Sequence, residues 1–360
     1  MVISGGVFHF ITAVLLSVQA SAPAAGKSGA VRAFGQAGRA TPSEQGRAGG
    51  EKLAAVRRTA EAARANAAGV ARAKAGRFAE AVALFKRAVE LDPEDAVMHY
   101  NLGVASYRAG AYDDAVESFG RAILLNPRFA QAHNDLGRAY ADSGRPLKAV
   151  GCFERAIGLD PNFADAYNNL GALYFDLGQY ERAIESYRTA IRIEPNLPVT
   201  YGNLGVAYGS LNRYEEALEY LRRAALLAPD SAASHYNLAF AHYKLKHYEE
   251  AIEHYELAIR LRPDYAEAYN NLGILLGDMG RHGRAADCFR RAVELKPRYA
   301  AALYNLGMSY LSLKKRGDSI RQFVQLKGLD AEFAERLYQA ILGDRVVNAQ
   351  TLKEAKGARQ

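Results

Sequence analysis

The sequence of 360 residues lacks tryptophan and contains only two cysteines and four methionines. Cys152 and Cys288 lie at the same place in a repeat, four repeats apart, which is too far for a disulfide. No HExxH, CxxC, GxSxG or GxGxxG motif occurs in a supporting context, so no metal centre, nucleophile or cofactor site is expected. The aromatic residues are 22 Tyr and 14 Phe, which suggests many half-buried rings.

Long apolar runs are missing as well, with one short exception near the amino terminus. Residues 7–18 (VFHFITAVLLSV) are largely apolar, whereas a transmembrane helix needs about 20 such residues. The stretch fits the core of a signal peptide, and Val18-Gln19-Ala20 offers small residues for cleavage, although no Lys or Arg precedes it. We predict a signal peptide over 1–20 and export to the periplasm or medium. The alternatives are an uncleaved membrane anchor, or a misplaced start codon and a cytoplasmic protein.

Residues 21–61 are rich in Ala, Gly, Ser and Arg, a composition that cannot bury enough apolar surface to become ordered. We therefore expect a disordered linker there. Its segment SAPAAGKS nearly matches a phosphate-binding loop, but Ser21 replaces the first glycine and no strand precedes it. The match is accidental, and no small-molecule substrate is expected.

The central part of the chain has no excess of positive charge, although the net charge of the whole chain is +7. Residues 1–75 hold ten Lys/Arg against three Asp/Glu, and residues 334–360 hold five against three. The middle of the chain is therefore slightly acidic. A nucleic-acid-binding protein needs a basic stripe on its folded surface, so nucleic acid is not an expected partner.

Three kinds of residue recur every 34 positions in this central part. The prolines are Pro93, Pro127, Pro161, Pro195, Pro229, Pro263 and Pro297. The leucines are Leu102, Leu136, Leu170, Leu204, Leu238, Leu272 and Leu306. The alanines are Ala81, Ala115, Ala149, Ala183, Ala217, Ala251 and Ala285. A fixed period of this length indicates an array of helical repeats.

One repeat, residues 96–129, shows the physical reason for the pattern. Its first half predicts a helix A that ends at Gly110, because glycine tolerates the left-handed geometry of a helix end. Its second half predicts a helix B that ends at Pro127. Gly103 is small enough for the two helices to approach, and Phe119 fills the remaining space. One helix pair cannot bury such a face alone, so the repeats must stack.

The pattern resembles that of the tetratricopeptide repeat family. The match is carried in one repeat by Leu170, Gly171, Gly178, Ala183, Tyr187, Ala190 and Pro195. The resemblance implies an all-α fold, a right-handed superhelical solenoid of about eight antiparallel helix pairs over residues 62–333. The first and last repeats are degenerate, and Phe333, Leu337 and Ile341 predict a capping helix within 334–360, followed by a polar tail.

A ladder of polar residues marks the candidate binding surface. We number each repeat from the position of Ala96, and position 6 then holds an amide in six of seven repeats. The residues are Asn101, Asp135, Asn169, Asn203, Asn237, Asn271 and Asn305. The row resembles the asparagine ladder of the peptide-binding arm of O-linked N-acetylglucosamine transferase, in which amides bind a peptide backbone. Alternatively, each amide hydrogen-bonds only between neighbouring helices.

Positions 5, 9 and 12 should also face the groove that the resemblance implies. They supply the candidate contacts Tyr100, Tyr107, Arg138, Phe175, Tyr236, Phe240, Tyr243 and Tyr304. Aromatic residues on such a wall make good peptide contacts. The alternative is that some of the rings are wedged between adjacent A helices.

Two functions that other proteins with such repeats perform are not expected of this chain. The first six residues of the repeats from Ala96 onward contain no Lys or Arg, which a clamp for the carboxyl terminus of a chaperone would need. The activity of O-linked N-acetylglucosamine transferase is not expected either, because it needs a large catalytic domain and only 27 residues follow Phe333.

Four histidines cluster in one repeat, at His235, His242, His247 and His254. We interpret them as packed side chains rather than metal ligands.

The sequence therefore predicts a scaffold that is not an enzyme, needs no cofactor, and binds an extended peptide or a partner protein in its groove. A structural protein that self-assembles into a homo-oligomer within an envelope or secretion complex is the second hypothesis. A targeting subunit for a separate enzyme is the third.

Overall fold

The computed structural model of the chain describes residues 42–343, with side chains from residue 53. All regular secondary structure in this range is helical, and the helices form an all-α repeat solenoid. The predicted signal peptide, residues 21–41 and the tail after residue 343 lie outside the described residues. The chain divides into two compact units between Cys152 and Phe153.

The first unit contains helix pairs in which a helix A is followed by a helix B. Its helices are α1 (Pro42–Lys74), α2 (Phe78–Leu91), α3 (Ala96–Arg108), α4 (Tyr112–Leu125), α5 (Ala130–Asp142) and the first part of α6 (Pro146–Leu159). Proline is harmless at the start of α6, because a residue in the first turn has no intrahelical acceptor for its N–H.

The second unit continues the alternation of A and B helices and ends on a single helix. Its helices are α7 (Ala164–Asp176), α8 (Tyr180–Ile193), α9 (Pro198–Ser210), α10 (Tyr214–Leu227), α11 (Ala232–Lys244), α12 (Tyr248–Leu261), α13 (Ala266–Asp278), α14 (His282–Leu295), α15 (Ala300–Ser312), α16 (Arg316–Lys327) and α17 (331–343).

In most repeats a glycine on helix A faces a large side chain on helix B, and Ala239 takes its place in α11. A Cβ atom built on Gly171 of α7 would lie 2.8 Å from Cε1 of Tyr187 in α8. Tyr187 is fully buried, and Ala183 packs beside it without any exposed surface. Within each unit the A helices also contact one another, so every repeat is held by its neighbours.

The turn after each helix A needs a residue in the left-handed region. Glycine supplies it in most repeats, as Gly178 does with φ 72°. Asn212 (φ 58°) and Lys246 (φ 61°) adopt the same conformation, as their alignment with the loop glycine predicts. Lys314 (φ 57°) is a third such residue that we did not identify from the sequence. In this conformation the Cβ atom of lysine is crowded by the backbone, whereas glycine has no Cβ atom.

The linker expected over residues 21–61 needs correction from Pro42 onward, because α1 begins there and residues 42–61 are helical. Composition explains the difference, since this segment is rich in Ala, Glu and Arg, which are strong helix formers. The residues from Leu53 to Glu61 are nevertheless exposed, and Ala62 is the first buried residue. The packed part of α1 therefore begins where the repeat pattern begins.

The last repeat departs from the others in how its glycine is covered. A Cβ atom on Gly307 would meet Leu337 of α17 at 2.5 Å rather than a residue of α16. Leu337 and Ile341 are buried, whereas the outer side of α17 carries exposed Glu335 and Arg336. Because Ala331 replaces the repeat proline, α17 begins at residue 331, three residues before the expected boundary of 334.

Two negative findings apply to the described residues alone. No helix between residues 42 and 343 is both long enough and apolar enough to cross a membrane. The same residues contain no group of three or more His, Cys, Asp or Glu side chains arranged to hold a metal ion.

Candidate functional site

In each unit the candidate residues lie on the face formed by the A helices of that unit, which we call the A face. Positions 5, 6, 9 and 12 of each helix A fall on it, since residues three or four apart share one side of a helix. In the first unit the ladder residues Asn101 and Asp135 are buried. In the second unit Asn169, Asn203, Asn237, Asn271 and Asn305 are only partly buried. The second unit therefore offers the more accessible ladder.

Ladder residues in the first unit bond to the preceding helix A. Asn101 donates an amide hydrogen to Oδ1 of Asn66 over 3.0 Å. Tyr100 donates its hydroxyl hydrogen to Oδ2 of Asp135 over 2.7 Å. Asp135 also accepts from Arg138 over 3.3 Å. In both repeats, position 6 is thus bonded to position 5 of the helix A before it, 35 residues earlier in the chain.

The same register holds in the second unit. Asn203 donates to Oδ1 of Asn168 over 3.5 Å, and Asn305 donates to Oδ1 of Asn270 over 3.1 Å. Asn271 donates to the Tyr236 hydroxyl over 2.8 Å. Asn169 is engaged as well. Because an amide has two donor hydrogens and an acceptor oxygen, these bonds use only part of each rung. They show the structural role, and ligand contact at these rungs stays a prediction.

One rung of the second unit lacks this bond. Asn237 of α11 should bond to position 5 of α9, but that position is Gly202, which has no side chain. A Cβ atom at Gly202 would meet no other atom within 4 Å, so the space is open. Among the described residues, nothing forms a hydrogen bond with the Asn237 side chain. A partly exposed amide with unused donors therefore borders an empty position on the A face.

A second glycine lies on the same side of α9, but the space beside it is partly filled, because a Cβ atom there would lie 3.7 Å from Cε1 of Tyr214 in α10. Gly209 occupies position 12, seven residues after Gly202, and Val206 lies between them at position 9. At the corresponding positions of the adjacent A helices are Phe175 on α7 and Phe240 and Tyr243 on α11. We call this region the α9 hollow: a strip of A face with small residues on α9 and larger rings on the helices beside it.

A second row of bonds joins positions 12 and 13 of successive A helices. Tyr107 donates its hydroxyl hydrogen to Asp142, and Tyr243 donates to Oδ2 of Asp278 over 2.6 Å. Burial raises the pKa of both tyrosines, and the acceptor carboxylates raise it further. Both hydroxyls therefore stay protonated at physiological pH and act as donors.

The predicted aromatic contacts are half-buried and pack against rings of their own unit. Tyr100 lies 4.8 Å from the Phe129 ring, Tyr236 lies 5.0 Å from Tyr265, and Tyr304 lies 5.2 Å from Phe333. Phe175, Phe240, Tyr107 and Tyr243 have ring partners at 5.2–6.4 Å. None of these ring partners lies within a neighbouring helix A, so the wedging of rings between A helices and their contact with a peptide both stay predictions.

The Arg138 side chain contacts other residues of the first unit. Its guanidinium pairs with Asp135 and lies 4.7 Å from the Tyr107 ring centre. The cavity that Arg138, Asp135 and Tyr107 help to line measures only about 10 Å³, roughly the volume that one water molecule needs. This part of the first unit therefore has no room for a ligand side chain.

Sequence reasoning missed the residues that explain the ladder. The acceptors Asn66, Asn168 and Asn270 and the two glycines of the α9 hollow were not among the candidates. The signal was present as a 35-residue spacing between positions 5 and 6 of successive repeats. A search at the 34-residue period compares equivalent positions, so it does not reveal a bond between different positions.

Comparison with known families identifies the repeats. Models described as tetratricopeptide repeat match residues 66–133, 102–150, 164–197, 198–231 and 230–298, and one described as TPR repeat matches 137–178. Together they span more than half of the chain. No curated protein matches the sequence significantly.

Two solved structures show the same fold at low identity. A chain of the APC/C hetero-tetramer Cut9–Hcn1 matches with a TM-score of 0.57 and 20% identity, over 74% of this chain and 52% of that chain. This chain therefore spans about half the length of that relative. Pseudomonas aeruginosa pilF matches with a TM-score of 0.53 and 23% identity, over 59% and 96% of the two chains. YrrB, described as a TPR protein with an unusual peptide-binding site, matches with a TM-score of 0.46 and 22% identity, over 53% and 98%.

The periodic helix pairs, the close glycine contacts of most pairs and the family matches agree with one another. The chain belongs to the tetratricopeptide repeat family.

Proposed function

We propose that the chain is a non-enzymatic scaffold that binds an extended segment of a partner protein along the A face of the second unit. Family membership supports the general role of a protein-interaction scaffold. The observation that carries the finer proposal is the unpaired Asn237 amide beside the open position at Gly202. A peptide carbonyl can take the place of the missing position 5 side chain and accept from Asn237.

The α9 hollow also suggests what the segment presents to it. Small residues on α9 leave room for an apolar side chain, which Phe175 and Phe240 would flank. A buried aromatic or aliphatic anchor of this kind commonly supplies much of the affinity of an interface. The backbone bond to Asn237 would add about 0.5–1.5 kcal/mol, since water is displaced from both partners.

The charge of the A helices favours a basic ligand. In the sequence, α7, α9, α11, α13 and α15 contain four acidic residues, at Asp165, Asp176, Glu267 and Asp278, of which Glu267 is already paired with Lys296. Lys244 is their one Lys or Arg. We therefore propose a segment with an apolar centre and Lys or Arg on its flanks, whose binding weakens as salt increases.

The test starts from peptides selected against the immobilised full chain from a random phage-displayed library. Fluorescence anisotropy then gives the Kd of a selected peptide for variant chains. Asn237→Ala and Gly202→Asn should each weaken binding about tenfold, or about 1.4 kcal/mol. The second variant acts by placing an amide where Asn168 stands in the previous repeat, so that it occupies the open position and bonds to Asn237.

A matched control separates binding from folding. Gly120 of α4 also faces open space within a helix, so Gly120→Asn makes the same chemical change away from the A face. Both asparagine variants should keep or gain helix stability, because asparagine has a higher helix propensity than glycine. Peptides that bind Gly202→Asn as tightly as the parent chain would show that the α9 hollow is not the site.

The place where the scaffold acts is also a proposal. Export depends on residues 1–20, and mass analysis of the mature amino terminus tests it directly. A chain that begins near Ser21 in the envelope fraction supports export, whereas an intact Met1 in the cytoplasm contradicts it.

A further inference from the structure

Four histidines of one repeat lie together on the side of α11 and α12, away from the A face. His235 and His242 belong to α11, His254 belongs to α12, and His247 lies in the turn between them. The His235 and His254 rings stack at 5.3 Å, and the His242 and His254 rings stack at 5.8 Å. His235 and His242 are only 6% and 3% exposed. We call these four residues the histidine stack.

The ring nitrogens of the stack face each other in two pairs. Nδ1 of His235 lies 3.3 Å from Nδ1 of His254, and Nδ1 of His242 lies 3.4 Å from Nδ1 of His247. A contact between two nitrogens needs one hydrogen, because one nitrogen must donate and the other must accept. If both rings of a pair are protonated, two N–H groups point at each other and the bond is lost. Each pair can therefore hold one extra proton but not two.

The position of His235 is fixed by a further bond. Its Nε2 lies 3.0 Å from the carbonyl oxygen of Pro229, which can only accept, so Nε2 carries a hydrogen. In the neutral ring, Nδ1 is then the acceptor and His254 is the donor. This arrangement gives both ring nitrogens of His235 a hydrogen-bond partner.

The preceding repeat has tyrosines at the three stacked positions. Tyr201, Tyr208 and Tyr220 lie 34 residues before His235, His242 and His254. The Tyr208 and Tyr220 rings stack at 5.4 Å with an interplanar angle of 4°. Rings therefore stack at this place in two successive repeats, and histidines replace the three tyrosines in the second of them.

The charged groups around the stack do little to compensate for protonation. Arg222 of α10 lowers the pKa of both His242 and His254, while Glu250 and Glu253 of α12 oppose it. Helix α9 contains no Asp, Glu, Lys or Arg. On α13, Glu267 pairs with Lys296 and Asp278 accepts from Tyr243.

We propose that this repeat is an acid-labile segment of the array, in which the histidine stack joins α11 to α12 at neutral pH and separates them when its rings become charged. Charged imidazoles stacked at these distances repel one another and lose the bonds described above. Burial is the largest cause that lowers the pKa of His242, to about 4, and His254 and Arg222 lower it further. Burial also lowers the pKa of His254.

The direction of the pH effect follows from linkage. A free histidine titrates near pH 6.5, so the open state binds protons more readily than the closed state as the pH falls from about 6.5 to 4. Stability of this repeat is therefore complete above about pH 6.5 and is lost progressively below it. Titration of His242 alone would increase the opening of the repeat about twentyfold between pH 7 and pH 5.

Hydrogen exchange of the full chain tests the proposal, with rates corrected for the intrinsic effect of pH. Amides of α11 and α12 should open about twentyfold more at pH 5 than at pH 7, whereas those of α9 and α10, with the tyrosine stack, should change much less. The variant H235Y/H242Y/H254Y copies the preceding repeat and should lose the acid sensitivity. If that variant does not fold, His242→Leu copies Leu276 of α13 and should remove most of the effect.

Two results would overturn the proposal. The first is equal corrected protection of α11 and α12 at pH 5 and pH 7 in the parent chain. The second is unchanged acid sensitivity in a folded variant that lacks the histidines.

Discussion

Replacement of Gly171 by alanine measures how closely the two helices of a repeat are packed. The new methyl carbon would lie 2.8 Å and 2.9 Å from two ring carbons of Tyr187 and 3.2 Å from the carbonyl oxygen of Ala183. Carbon atoms attract best at about 3.5–4.0 Å, so the ring or the helix must move by more than half an ångström. The buried Tyr187 ring has no free space to enter, and overpacking of this kind typically costs about 1–3 kcal/mol.

Gly120→Ala is the matched control, because a Cβ atom on Gly120 meets nothing within 4 Å. Alanine should stabilise α4 by about 0.5–1 kcal/mol through its higher helix propensity. Hydrogen exchange measures both variants locally, which suits an array that need not unfold in one step. Gly171→Ala should raise opening in α7 and α8 most, with a weaker effect on adjacent repeats. Equal stability of the two variants, or a uniform change along the chain, would refute the close contact.

Three further predictions concern single side chains. Lys246→Gly should stabilise the α11–α12 turn by about 0.5–1 kcal/mol, because glycine adopts φ 61° without the steric cost that lysine pays; chemical denaturation that shows a loss would contradict it. Tyr243→Phe should destabilise the α11–α13 contact by about 0.5–1.5 kcal/mol through loss of the bond to Asp278, and local exchange should show it. Burial raises the pKa of Cys152 and Cys288 to about 11, so iodoacetamide at pH 8 should label them roughly a hundredfold more slowly than a free peptide thiol. Fast labelling of the native chain would be inconsistent with that burial.

The helix pairs were predictable because the residues that close each pair are themselves periodic. Gly171, Ala183 and Tyr187 meet in one contact between helix A and helix B, and equivalent residues recur wherever that contact recurs. Residues 42–61 were predicted less well, because low hydrophobicity was taken as the sign of disorder. A helix that packs against nothing is stabilised by propensity alone, and hydrophobic periodicity does not report on propensity.

The ladder shows a different limit of sequence reasoning. Its Asn residues were evident from the period, but their partners at position 5 vary among Asn, Tyr and Gly. Only the geometry reveals that Asn203 bonds to Asn168 while Asn237 has no counterpart. The absence of one side chain at Gly202 became informative once the bonds of the other repeats were known.

The most direct test of the account is to locate the bound peptide by cross-linking. A selected peptide that carries a benzophenone residue at its apolar centre is irradiated with the full chain, and mass spectrometry identifies the residue to which it is joined. We predict cross-links to the A face of α9 and α11, at or beside Val206, Asn237 and Phe240. Cross-links confined to the B helices or to the carboxyl-terminal helix α17 would contradict binding on the A face.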